Sequence, residues 1–281
     1  MNKLGFGFLR LPEVKDAPEK TYDFNLLNQM VDYYMANGGK YFDTAYTYLN
    51  GISEEAIKEC VVNRYPRDKF VLANKLPGYK AKSREDCVAF FDEQLKRCNV
   101  DFFDVYMLHW LNKENYEIAK KYDEFGFIRK LKEEGKARSI GFSFHDTAAV
   151  LDTILEEHDE IDYVQLQINY LDWNSPSIQG RECYEVAKNH GKKSNRYGAC
   201  KRRQSFSSAG GSGKSAAGYR SCAESISSRN QICSELERSG ICPQRNEHYG
   251  AGCGQYERCR TYENGGDGDA GEGGGCYKQV Y

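Results

Sequence analysis

The strongest constraint on this chain is an alternation. Over residues 1–193, short β-type runs and helical patterns succeed one another, and after that the alternation stops. An apolar stretch with glycines at residues 4–9 precedes a helical pattern at 24–36. Further strands are expected at 41–45, 70–76, 102–110, 137–144 and 163–169. Ser53 reads as an N-cap, with Glu54 and Glu55 in the first turn, where the helix dipole favours acids. Ser83 with Asp86 reads as a capping box, after which Cys87, Phe90, Phe91 and Leu95 share one helical face. Phe125, Ile128 and Leu131 mark a helix that ends at Gly135. Two more helices are expected, near 148–157 and 178–190. Strands separated by helices at this spacing imply a parallel sheet in an α/β fold. Unit length and count suit a (β/α)8 TIM barrel, incomplete here, with about six βα units before an irregular tail. A doubly wound sheet is the runner-up. It calls for a glycine fingerprint that opens a helix, and GFGFLRLP does not continue that way.

The break divides the chain into 1–193, which supplies the core, and 194–281. Residues 195–281 hold 16 of the 27 glycines, and their aliphatic and Phe content is Phe206, Ile226, Ile232, Leu236, Ile241 and Val280. Six such residues cannot bury enough surface to offset chain entropy. The formal net charge of −2 gives no reason to expect a nucleic-acid or anionic-membrane partner. No apolar run reaches the ~18 residues of a membrane span, and MNKLGFGFLRLP lacks the apolar run of a signal peptide. A cytoplasmic location is therefore expected. Cys60, Cys87, Cys98 and Cys183 read as buried thiols. The seven later cysteines contain no C-x2-C pair, so no metal site is expected.

Barrel chemistry sits at the C-terminal ends of strands. Four polar residues fall at such ends: Asp43 and Tyr48 in YFDTAYTY, Lys75 in VLANKL, and His109 in DVYMLHW. Singly, each has an ordinary reading as a cap, a rim lysine or a half-buried histidine. Together they suggest acid catalysis. A phenol of pKa about 10 is a poor acid at neutral pH. A neighbouring ammonium lowers that value, and a carboxylate holds the ammonium in place. Such a phenol can protonate a carbonyl oxygen as hydride reaches its carbon. Trp110, Tyr170 and Trp173 read either as pocket walls or as core.

In FDTAYTYLNGISEEAIKE, VLANKL, VYMLHW, SIGFSFHD and VQLQINY the chain resembles the aldo-keto reductase family, over residues 1 to about 193. The resemblance implies a (β/α)8 barrel, a small-molecule carbonyl substrate and NADPH, less often NADH. It implies that Tyr48 is the proton donor, Lys75 lowers its pKa, Asp43 pairs with Lys75 and His109 orients the carbonyl. It also implies that Ser143 and Gln167 hold the nicotinamide carboxamide. The family's Asn in that set is replaced by Phe144, which leaves one amide contact without its partner. A non-catalytic nicotinamide-binding subunit on the same barrel is the alternative. Oligomeric state and substrate identity are open at this level.

The tail has a reading of its own. Back-translated and read one nucleotide later, SNRYGACKRRQSF gives VIGMEPVKGGSL, similar to the family's seventh strand and loop. At the same offset SAGGSGKS gives LPEEAEK, NQICSELE gives IRFAASL, and CPQRNEHYGAGCG gives VLSGMSTMEQVV, similar to the family's eighth strand. Four matches in order and in one frame point to a frameshift. Lys192-Lys193-Ser194 written AAA AAA AGT becomes Lys-Lys-Val on loss of one adenine.

Overall fold

The computed structural model describes residues 4–14, 21–169 and 173–197, and the backbone of 242–245. Its elements in chain order are β1 (Leu4–Gly7), α1 (Phe24–Ala36), β2 (Tyr41–Asp43), α2 (Ile52–Ile57), β3 (Val71–Leu76), α3 (Arg84–Cys98), β4 (Phe103–Leu111), α4 (Lys113–Lys121), α5 (Glu124–Glu133), β5 (Ala137–Phe144), α6 (Ala148–Glu157), β6 (Tyr163–Gln167), α7 (Gly180–Asn189), β7 (Lys193–Tyr197) and β8 (Cys242–Arg245). The strands form one parallel sheet in the order β7-β6-β5-β4-β3-β2-β1-β8. This is the curled sheet of a (β/α) barrel, its helices packed outside.

Two apolar layers follow from the period-2 geometry of strands. Inward-facing residues form a small cluster of Tyr41, Ala73, Val105 and Met107. Outward-facing ones such as Phe42, Leu72, Phe142 and Val164 join the helices in the main core. The local signals of the sequence are largely realised. Ser83 Oγ accepts from the Asp86 N–H and the Asp86 carboxylate accepts from the Ser83 N–H, completing the box that starts α3. Gly135 follows α5 at φ +73°, a left-handed position that glycine occupies without penalty. Cys60, Cys87, Cys98 and Cys183 are buried and free, and burial raises each thiol pKa.

One expectation needs correcting. Ser53 is not an N-cap. It lies inside α2, fully buried, and binds the Phe8 carbonyl at 2.9 Å and Thr44 Oγ1 at 2.6 Å. Gly51, at φ +94°, precedes the helix instead. α4 has no counterpart in the sequence reading, because its apolar residues are too few for a clear stripe.

The sheet also runs further than the six strands read from the sequence. β7 pairs with β6 from Tyr163↔Lys193 to Gln167↔Tyr197. β8 pairs with β1 from Leu4↔Cys242 to Gly7↔Arg245, so the segment that resembles an eighth strand in the shifted frame lies where an eighth strand belongs. The rest of the tail lies outside the described residues, as do Tyr170 and the side chains of β8.

Candidate active site

The four strand-end residues converge. β2 ends at Asp43, and Lys75 is the fifth residue of β3. Lys75 is fully buried, and its Nζ donates to Asp43 Oδ1 at 2.6 Å, to the Thr44 carbonyl at 2.8 Å and to the Tyr48 hydroxyl at 3.1 Å. Burial alone pushes a lysine toward the neutral form, but the charges of Asp43 and Tyr48 outweigh it, so the Lys75 pKa is raised. The ammonium is therefore kept charged next to the phenol. The second Asp43 oxygen accepts from Gln165 Nε2 at 2.9 Å. Gln165 was not singled out from the sequence. The signal was there: YVQLQ places two glutamines on the inward face of a strand whose outward residues are apolar.

Tyr48 and His109 meet edge to face, with ring centroids 5.6 Å apart. Burial, with help from the Lys75 and His145 charges, drives the His109 pKa well below its usual value, so the imidazole is neutral. Its Nδ1 is buried without a hydrogen-bond partner. Tyr79 completes the wall, edge-on to both His109 and Trp110 at 6.0 and 5.4 Å. Trp110 is 47% exposed and lines the mouth, whereas Trp173 packs against the core.

The backbone around these residues is unusual. Leu49, Asn50 and Gly51, directly after Tyr48, all have positive φ (52°, 56° and 94°). Trp110, directly after His109, has φ 60°, at a register shift between β4 and β5. Left-handed backbone costs a non-glycine residue about 1–2 kcal/mol, and such residues gather at functional sites. The Trp110 conformation turns its N–H onto Ser143 Oγ at 2.7 Å.

Ser143 and Gln167 stand at the ends of the adjacent strands β5 and β6. Ser143 Oγ accepts from Trp110 and retains its own proton to donate. Gln167 is exposed and borders a cavity of about 170 Å³ that is also lined by Phe144, His145, Asp146, Leu166 and Ser177. Ser143 lies opposite Gln165 in the β5–β6 ladder, with Gln167 two residues further along the same face of β6. Phe144 is buried in the apolar core and offers a ligand no polar atom.

A profile of the Aldo/keto reductase family matches residues 3–205. The chain belongs to the aldo/keto reductase family. An aldo-keto reductase of Mycolicibacterium smegmatis is 32% identical over 124 residues, 43% of this chain and 41% of the relative. A glyoxal reductase of Bacillus subtilis is 32% identical over 131 residues, 44% and 42% of the two chains. This aldo/keto reductase thus spans less than half the length of these curated relatives. Among solved structures, the holo form of an aldo-keto reductase from Bacillus halodurans superposes with a TM-score of 0.67 at 18% identity, covering 92% of this chain and 87% of that one. A Klebsiella pneumoniae aldo-keto reductase in complex with NADPH gives a TM-score of 0.60 at 17% identity, covering 92% and 90%. At these identities the likeness concerns the fold. Among the described residues, no helix is long and apolar enough to cross a membrane.

Proposed function

We propose that this aldo/keto reductase reduces the carbonyl group of a small aldehyde or ketone, with Tyr48 as the proton donor. The observation that carries the reading is the Lys75 ammonium, buried between Asp43 and the Tyr48 hydroxyl. An ammonium at that distance stabilises the phenolate left when Tyr48 gives up its proton. Neutral His109, packed on Tyr48, orients the carbonyl oxygen through a ring N–H. NADPH, the ligand of the Klebsiella relative, supplies hydride when bound. Ser143 and Gln167 would hold its carboxamide, one contact short because of Phe144. Tyr79 and Trp110 would line the carbonyl's approach. Tyr48→Phe is expected to lower the reduction rate by about 10²–10⁴-fold, the range of general acid catalysis, while cofactor binding persists. Activity near that of the unmutated protein would remove Tyr48 from the mechanism. Cofactor binding without turnover of any aldehyde or quinone in a broad panel would favour a non-catalytic subunit.

The same reading extends to the tail: the gene for this reductase carries one extra base near Lys193, and residues 194–281 are read out of frame. β7 lends physical support. Ser194 and Asn195 are buried, and Ser194 Oγ and Asn195 Oδ1 have no hydrogen-bond partner. Ser194 stands beside Val164, on the face that packs against helices. In the restored frame these positions become Val and Ile, which need no partner. Buried polar atoms left unpaired cost about 1–3 kcal/mol each. The chain as written is therefore expected to aggregate and to bind NADPH poorly. DNA sequencing across codons 190–196 checks the base, and expression with and without one adenine removed checks the consequence. A soluble, cooperatively unfolding, active unrepaired chain would refute the frameshift.

A further inference from the structure

The strand that carries Lys75 outlasts its neighbour. β2 stops at Asp43, opposite Ala73, and the last contact on that side is the Thr44 N–H to the Ala73 carbonyl at 3.0 Å. In a strand, the N–H and C=O of residues i and i+2 point to the same side. The N–H and C=O of Lys75 therefore face the side that β2 has vacated. Side chains fill the place of the missing strand. The Lys75 N–H donates to Asn74 Oδ1 at 2.8 Å. The Lys75 carbonyl accepts from Gln94 Nε2, on α3, at 3.1 Å.

Gln94 is the hub of a fully buried polar cluster. Its Nε2 also faces Asn74 Oδ1 at 2.7 Å and Glu54 Oε1 at 3.0 Å, and its Oε1 accepts from the Tyr106 hydroxyl at 2.6 Å. Glu54 Oε1 takes a further bond from Asn74 Nδ2 at 2.8 Å, and Arg97 balances its charge through Oε2 at 3.1 Å. Gln94, Asn74, Glu54 and Tyr106 are each 0% exposed. The two Nε2 protons are shared among three acceptors, of which the Lys75 carbonyl at 3.1 Å is the most distant, and losing the amide would leave these buried groups short of a donor. The main chain of Lys75 is one of the groups it serves.

We propose that Gln94 is a positioning residue for the reduction: by bonding the Lys75 carbonyl it fixes the Lys75 ammonium against Tyr48, and so sets the acidity of the phenol. The proposal rests on the reading of Tyr48 as the acid. A retreat of the ammonium by about 1 Å from its 3.1 Å contact weakens the pair, at the effective dielectric of protein sites, by roughly one pKa unit.

The test is the titration midpoint of Tyr48, read by NMR from ring-labelled [¹³C]tyrosine in the full chain and in its frame-restored form. The Tyr48 signal is assigned by its loss in Tyr48→Phe. Gln94→Met keeps the volume and removes the amide, and is expected to raise the midpoint by about one unit. Gln94→Asn, shorter by one methylene, is expected to raise it too, and serves if the Met variant does not fold. Tyr106→Phe breaks a bond of the same buried cluster without touching Lys75, and is expected to leave the midpoint in place. An unmoved midpoint in the Gln94 variants, or an equal rise in Tyr106→Phe, overturns the proposal. The midpoint needs no turnover, so an active Tyr48→Phe enzyme would refute the acid role separately.

Discussion

Replacing Glu124 with glutamine is expected to stabilise the protein in alkali and to change little in acid. Glu124 opens α5, is 2% exposed, and its Oε1 is buried without a hydrogen-bond partner. Its carboxyl lies against Gly78, so closely that a side-chain carbon added there would come within 2.0 Å of it. Burial pushes the carboxyl pKa from 4.5 up to about 7. The helix N-terminus favours the carboxylate, but by only about 0.3–1 kcal/mol, so desolvation wins. Below pH 4.5 both folded and unfolded chains hold the proton, and the residue costs nothing. As pH rises from 4.5 to 7 the unfolded chain releases its proton first, and stability falls. Above pH 7 the loss is complete. The gap from 4.5 to about 7, at 1.36 kcal/mol per pH unit, comes to roughly 3 kcal/mol. Glutamine mimics the neutral acid at every pH. For a domain of this size the variant should melt on the order of 6–12 °C higher at pH 8.5, with the difference vanishing near pH 4.5. Thermal unfolding followed by circular dichroism across that range measures it. Parallel stability curves for the two proteins would show that the carboxyl is solvated or paired, and the reasoning would fail.

Three further outcomes are expected. Asp43→Asn leaves the buried Lys75 ammonium without its countercharge, which should cost about 3–5 kcal/mol in denaturant unfolding and lower the Lys75 pKa. Gly141→Ala would place a carbon 2.2 Å from the Tyr163 carbonyl oxygen across the β5–β6 ladder, so overpacking should destabilise the protein by about 1–3 kcal/mol and disturb Ser143 two residues on. NADPH should bind more tightly than NADH in fluorescence titrations of the frame-restored protein, and the reverse order would refute the cofactor assignment.

What the sequence disclosed is what is local. The Ser83–Asp86 box, the glycine after α5, the apolar face of α3 and the strand ends carrying Asp43, Lys75 and His109 all depend on residues within a turn or two of each other. Ser53 was misplaced because its partners, Phe8 and Thr44, are set by the fold and not by the helix that contains it. Gln94 and the buried partners of Glu54 stayed hidden for the same reason. A buried polar residue on a strand or helix reads as a surface residue until its distant partners are known. The left-handed backbone at Leu49 and Trp110 had no signal, whereas Asn50-Gly51 is a pair that such backbone favours and its signal went unused.

The turn behind Tyr48 has a wider consequence. Leu49, left to itself, favours right-handed or extended backbone, so the segment 48–51 does not shape itself unaided. It is held like a bent spring by what surrounds it: Leu49 packed on the core, Ser53 tied to the Phe8 carbonyl just after β1, Arg97 lying over Gly51. The placement of the phenol is thus a property of the whole barrel and not of its own loop. A substitution far from the chemistry that loosens any of these contacts is therefore expected to displace Tyr48 as well.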